Sequence, residues 1–238
     1  MICLTSFKNG RFISFFRNTC ILAGFVVFLN ILAACKKTED NSTLTDFDGN
    51  SYKTVVIGGQ TWMAENLKTT RYNDGSQIPC IRSNNAWKTA YSPAYCWYDN
   101  DSLANMNAYG ALYSLYTINS SKICPAGWHI PTDAEWTGLF TYLDNETLAS
   151  NKLKETGVTH WRGTSDVVTN ETGFTALPGG YRAADGSFSG KTWYGYWWIA
   201  NEGATDHGSA ICMSYESGQI YRVGETALNA ISVRCIKN

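Results

Sequence analysis

Cys124-Pro-Ala-Gly-Trp-His-Ile-Pro-Thr-Asp-Ala-Glu-Trp136 is the stretch that decides the fold of this 238-residue chain. Its second half starts a helix. Thr132-Asp133-Ala134-Glu135 forms a capping box, in which the threonine oxygen accepts from an otherwise unpaired amide and Glu135 reaches back to the cap. Trp136, Leu139, Phe140 and Leu143 then recur at helical spacing, so one face of this helix is apolar. A second helix is predicted over Glu146–Lys154, ending at Gly157, and a short one over Tyr109–Tyr116. Beyond the helices the pattern becomes β, with strands predicted at Tyr196–Ala200, Ala210–Tyr215, Ile220–Val223 and Ile231–Ile236. Glu216-Ser217-Gly218-Gln219 supplies a hairpin turn. Upstream, Gly58-Gly59 joins strands Tyr52–Ile57 and Gln60–Glu65. Residues 68–107 hold Pro79, Pro93, Asp74-Gly75 and many Asn and Ser, which predicts mostly irregular chain.

These elements add up to an α+β, β-rich domain with one or two short helices and long irregular loops. Composition agrees. The chain has 21 Gly, 9 Trp, 14 Tyr and 10 Phe but only 16 % charged residues, a profile in which wide aromatic side chains fill a core that few helices supply.

The N-terminus reads as a targeting segment. Lys8, Arg11 and Arg17 precede an apolar run from Cys20 to Ala34, too short for a comfortable span of roughly 20 apolar residues. Leu32-Ala33-Ala34-Cys35 resembles the bacterial lipobox, which implies cleavage before Cys35 and lipid on its thiol. Each buried CH₂ contributes about 0.8 kcal/mol, so one acyl chain binds marginally while two or three hold the protein at a membrane. Lys36-Lys37-Thr38-Glu39-Asp40 looks like the surface-export signal of Bacteroidota lipoproteins, which implies an outer-membrane location facing the exterior. The expected organisation is a signal peptide at 1–34, a lipidated flexible tether at 35–45 and a single domain at 46–238. Loss of residues 1–34 leaves 16 basic against 20 acidic side chains. No basic block remains, which argues against a nucleic-acid partner.

Of eight cysteines, Cys3 and Cys20 leave with the signal and Cys35 takes the lipid. In an oxidising compartment the other five are read as two disulfides and one buried thiol. Cys80 with Cys96 would staple a local loop. Cys124 with Cys235 would tie the middle of the domain to its last strand, stabilising it by roughly 4–5 kcal/mol on a chain-entropy estimate. Cys212 is left over.

The 124–136 stretch occurs together with Val56-Ile-Gly-Gly-Gln-Thr-Trp-Met-Ala-Glu-Asn-Leu67, Tyr109-Gly-Ala-Leu-Tyr113, Pro178-Gly-Gly-Tyr-Arg182 and Ser232-Val-Arg-Cys235. Together they resemble the Fibrobacter succinogenes major paralogous domain family over about residues 46–238. The resemblance implies a fold related to C-type-lectin-like domains and to the formylglycine-generating (sulfatase-modifying) enzymes, and it carries no activity with it. The formylglycine-generating enzymes share the Pro-Thr-x-x-Glu-Trp helix start but use two nearby C-terminal cysteines to hold copper. Cys212 and Cys235 stand 23 positions apart, so enzymatic function is not expected. Sugar-binding C-type lectins hold calcium with Glu-Pro-Asn or Gln-Pro-Asp and Trp-Asn-Asp triplets, and neither kind occurs. Asp99 and Asp101 offer carboxylates to Ca²⁺, against the commoner role of such side chains in capping turns. No other cofactor is implied.

His129 lies among apolar neighbours and is expected as a buried, hydrogen-bonded imidazole. Trp62, Trp128 and Trp136 are expected in the core. Trp161, Trp193, Tyr194, Tyr196 and Trp197 lie in or beside loop-rich sequence and are the candidates for a ligand platform. Trp197 and Trp198 must face opposite sides of a strand, so both are buried only if both faces are covered. The function expected is a lipid-anchored binding or adhesion module for a glycan or protein. The alternatives are an envelope structural or assembly component and, least favoured, an enzyme.

Overall fold

In the computed structural model, which describes residues 43–163, 167–200 and 205–238, the chain enters through two short hairpins. Strand β1 (Leu44–Thr45) pairs with β2 (Ser51–Tyr52), so the end of the expected tether belongs to a sheet. The signal segment and Cys35 lie outside the described residues. Next, β3 (Thr54–Ile57) and β4 (Gln60–Met63) flank Gly58-Gly59, whose φ angles of 59° and 83° match a two-residue hairpin turn. A side chain at position 58 would meet the Tyr142 ring, with Cγ 2.7 Å from the added Cβ.

The middle of the chain is more ordered than its sequence suggests. It carries helix α1 (Asn84–Trp87), β5 (Tyr95–Cys96) and α2 (Ser102–Tyr109). The helix predicted over Tyr109–Tyr116 is replaced by β6 (Leu112–Ser114) and a single helical turn, α3 (Leu115–Ile118). Gly110, at φ 71°, breaks the helix and brings the backbone onto the Leu67 carbonyl, where a Cβ would lie 2.6 Å away. All three residues of β6 are buried, so the alternation that marks a half-exposed strand is missing. Then come β7 (Trp128–His129), α4 (Asp133–Tyr142) and α5 (Glu146–Leu153). The capping box on Thr132 and Glu135 forms as the sequence predicts. The remaining strands are β8 (Gly179–Arg182), β9 (Phe188–Lys191), β10 (Tyr194–Trp198), β11 (His207–Ser214), β12 (Ile220–Thr226), β13 (Ala230–Ile231) and β14 (Ile236–Lys237). The predicted strand Ile231–Ile236 is thus two short ones in different sheets.

The larger sheets have the orders β10-β11-β12, β5-β6-β13-β8-β9 and β3-β4-β14-β7, with antiparallel pairings. The fold is α+β and dominated by β-structure. The C-terminal segment joins all three sheets. β13 lies between β6 and β8, β14 lies between β4 and β7, and Ser232 between them bridges to Trp197 on β10. Cys235 is bonded to Cys124, as expected. Cys80 and Cys96, expected as a second disulfide, are free. Cys80 pairs across a bridge with Tyr95, so Cys96, the next residue on that strand, points to the opposite face.

Aromatic rings fill the core under α4. Trp62 lies 4.7 Å from Trp136 and 5.9 Å from Phe174 between centroids, and Trp136 stacks on Phe140 at 5.7 Å. Two buried arginines hold loops that no ladder reaches. Arg182, between the Trp87 and Phe188 rings, donates to the carbonyls of Gly186, Ile81 and Arg82 and to Asn84 Oδ1. Arg234 lies over the Phe174 ring and donates to the Phe174 and Thr175 carbonyls and to Asn66 Oδ1. Asn66 in turn donates to the Tyr109 carbonyl and accepts from the Trp197 indole. Arg234→Met should therefore strand the Phe174 and Thr175 carbonyls, while Asn66 Oδ1 keeps the Trp197 indole, and destabilise the domain by about 3 kcal/mol. Urea unfolding measures this, and a loss under 1 kcal/mol would show that Arg234 does not organise the 174–175 loop.

Candidate ligand-binding site

The predicted platform residues divide by burial. Trp161 and Trp197 are 2 % and 0 % exposed and are core, a correction to their expected role. The Trp161 indole donates to the Ala176 carbonyl, and Trp197 is held by Asn66. Trp198 is also 0 % exposed, so both faces of β10 are covered at this end of the strand. Trp62 and Trp136 are core as expected, whereas Trp128 is only half-buried.

Trp193, Tyr194 and Tyr196 remain partly open to solvent. On one face of β10, Tyr194 and Tyr196 lie 5.9 Å apart, and Tyr181 of β8 meets Tyr196 edge-on at 5.5 Å. The three rings thus join two sheets along one seam. Burial pushes the Tyr196 phenol well above its ordinary value, and its hydrogen bond to Cys212 adds to this. At the turn before β10, Trp193 meets Tyr215 edge-on at 5.2 Å and carries the Arg162 guanidinium 4.1 Å from its ring centre. Thr192 of that turn has φ 72°, rare for a β-branched residue. Strain of this kind persists where surrounding contacts over-determine it, and it clusters at functional sites. The contacts are the Thr192 amide on the Pro178 carbonyl and the Arg162 amide on the Thr192 carbonyl, at 3.0 and 2.8 Å.

Lys154 lies behind this surface. It is 3 % exposed, donates to the carbonyls of Ser214 and Ser217 at 3.0 and 2.9 Å, and lies 5.5 Å from the Trp161 ring centre. It anchors the turn between β11 and β12 without a carboxylate partner among the described residues.

The other candidates are structural. Asp101 Oδ1 accepts from the Ala104 amide as the cap of α2, while Asp99 is exposed at φ 51°. Among the described residues no cluster of three or more His, Cys, Asp or Glu could hold a metal, so the calcium reading of Asp99 and Asp101 is not supported. His129 is half-exposed rather than buried, with Nε2 2.9 Å from Glu135 and Nδ1 2.6 Å from Asn238. It extends the capping box. Burial raises the Glu135 pKa, but hydrogen bonds from the Thr132 amide and hydroxyl and from His129 outweigh it and bring it below the usual carboxylate value. Cys235 is committed to its disulfide, and burial pushes the Cys212 thiol up to about 11. A thiol so protonated is a poor nucleophile at neutral pH. Sequence reasoning missed Tyr181, Tyr215 and Arg162, since nothing local shows that the 160s, 190s and 215 segments meet.

A family model described as the Fibrobacter succinogenes major domain matches residues 55–237. No curated protein and no solved structure matches the chain.

Burial of Lys154 pushes its pKa down to about 8. An unfolded lysine titrates near 10.4, so between roughly pH 8 and pH 10 the unfolded chain holds a proton that the folded one has released, and stability gains with rising pH. The buried tyrosines and thiols oppose this, but they cancel in a comparison of variants. Lys154→Met should therefore gain on wild type below pH 8 and lose that advantage, on the order of 2–3 kcal/mol, by pH 10. Parallel stability–pH curves in urea would show that Lys154 titrates normally.

Proposed function

The chain belongs to the Fibrobacter succinogenes major domain family, and from that premise we propose that it is a lipid-anchored extracytoplasmic binding module whose ligand, a glycan or a protein, docks on the Trp193–Tyr194–Tyr196 surface. One observation carries the reading. Several aromatic rings stay partly open at a strained turn, although this core buries most of its other tryptophans completely. Tyr194 and Tyr196 stand on a strand and Trp193 is held in its turn by Arg162 and Tyr215, so little conformational entropy is lost when a ligand covers them. Apolar ring faces with polar edges suit the pyranose faces of a sugar or the side chains of a protein partner.

The anchor rests on Leu32-Ala33-Ala34-Cys35 and the basic, apolar stretch before it. Among the described residues no helix is long and apolar enough to cross a membrane. Labelling the whole chain with radioactive palmitate in a bacterial host should mark the wild type and not Cys35→Ser. Persistent label on the serine variant would move the anchor elsewhere, and an unlabelled wild type would remove it.

The ligand surface is tested on a glycan array with the full chain in detergent micelles. Tyr194→Ala and Trp193→Ala should each weaken the strongest signal by about tenfold or more, as for the loss of one stacking contact, while near-UV circular dichroism stays native. Unchanged binding by both variants would move the site. An array silent for the wild type, with envelope proteins co-purifying instead, would favour the structural role.

A further inference from the structure

Two short segments distant in sequence lie side by side at the edge of the aromatic surface. His160–Trp161–Arg162 and Lys191–Thr192–Trp193 are joined by the Arg162 amide on the Thr192 carbonyl at 2.8 Å. Trp161 turns inward, so His160 and Arg162, on either side of it, turn outward. Arg162 is exposed, with its guanidinium carbon 4.1 Å from the Trp193 ring centre. Lys191 is half-buried, donates to Asn105 Oδ1 at 3.2 Å and to no carboxylate among the described residues, and rests 4.7 Å from the Tyr98 ring centre and 6.0 Å from that of Tyr109. Among the described residues neither cation has an ion-pair partner.

Among the described residues, two carboxylates of these segments are hydrogen-bonded to other side chains and not to either cation. Both Glu155 oxygens lie 2.8 Å from His160 Nδ1, and that imidazole meets the Tyr109 ring edge-on at 5.5 Å. Glu216 accepts from the Tyr215 hydroxyl at 2.7 Å. Beside the strained turn stand two cations that form no ion pair among the described residues, next to packed aromatic rings. A guanidinium stacked on an indole keeps its donor edge free. It presents the planar fork that a carboxylate matches with two parallel hydrogen bonds.

We propose that Arg162 and Lys191 form an anion-reading edge of the platform, and that the ligand is an acidic glycan whose uronate carboxylates pair with these cations while its rings lie on the neighbouring aromatics. This deepens the binding-module reading and rests on it. A neutral sugar would leave both cations without counter-charge. A repeating uronate places carboxylates along one chain, so Arg162 and Lys191 can engage different residues of the same polymer.

Affinity electrophoresis of the full chain in detergent, through gels carrying polygalacturonate or dextran, tests this. Polygalacturonate should retard the wild type and dextran should not. Arg162→Gln and Lys191→Gln should each weaken the retardation by about tenfold, as for loss of one charge-assisted hydrogen-bonding group, and 0.5 M salt should weaken it further. Tyr194→Ala should also reduce it. Retardation by dextran alone, lost in Tyr194→Ala, would overturn the anionic preference and leave the platform standing. No retardation by either polymer would overturn the acidic-glycan assignment, and the glycan array then decides the platform independently. Retardation by polygalacturonate that both glutamine variants retain would place the anion site elsewhere.

Discussion

The pairing of residues 230–237 with three sheets is the constraint on which the rest of this fold depends. Each of its two strands is only two residues long, and neither would persist alone. What holds them is their central position: β13 has neighbours on both sides, as does β14, and Ser232 touches a third sheet between them. The backbone of this stretch also accepts from the Met63 and Leu67 amides through the carbonyls of Cys235 and Val233. Arg234 and Cys235 fasten it sideways, one by hydrogen bonds to an irregular loop and the other by a covalent bond to the chain before α4. Outside β11 and β12 the strands are short, and the interior is filled by aromatic rings, while indole and buried guanidinium donors reach backbone carbonyls that regular structure leaves unpaired.

The large side chains of the motifs that identify the family are mostly interior. Trp62, Asn66, Gly110, Trp136, Arg182, Arg234 and Cys235 each close a gap, satisfy a carbonyl or permit a turn. They specify a scaffold. The partly open rings and the two cations beside them lie mostly outside those motifs, at Arg162, Lys191, Trp193, Tyr194 and Tyr196. A scaffold fixed by buried polar anchors leaves such a surface free to differ between copies of the fold without disturbing the core.

The features legible in the sequence are those whose physics is local. The capping box at Thr132 needs only four residues, the Gly58-Gly59 hairpin needs two, and both form as read. The Cys124–Cys235 bond was legible because it ties two motif segments. β8 and β9 were not legible, since Gly179, Gly180 and Gly190 give them no strand propensity and their pairing with a distant C-terminal strand supplies it. The Tyr109–Tyr116 segment was misread because a strand buried on both faces mimics a helical stripe. On the partly open aromatic surface, Trp193, Tyr194 and Tyr196 were legible as candidates. Trp161 and Trp197 were assigned there wrongly because coverage by other elements cannot be seen along the chain.

A domain closed by its last residues is also closed last in time. As the chain is delivered from its N-terminus, β4, β6, β8 and β10 all exist before the segment that fills the gaps between them. Until residue 237 arrives, those edges and the aromatic interior lie open to solvent or to any holding partner. Folding of the domain then waits for residues 230–237, through contacts of high sequence separation that form slowly. A domain built this way stays open for as long as these two strands are withheld.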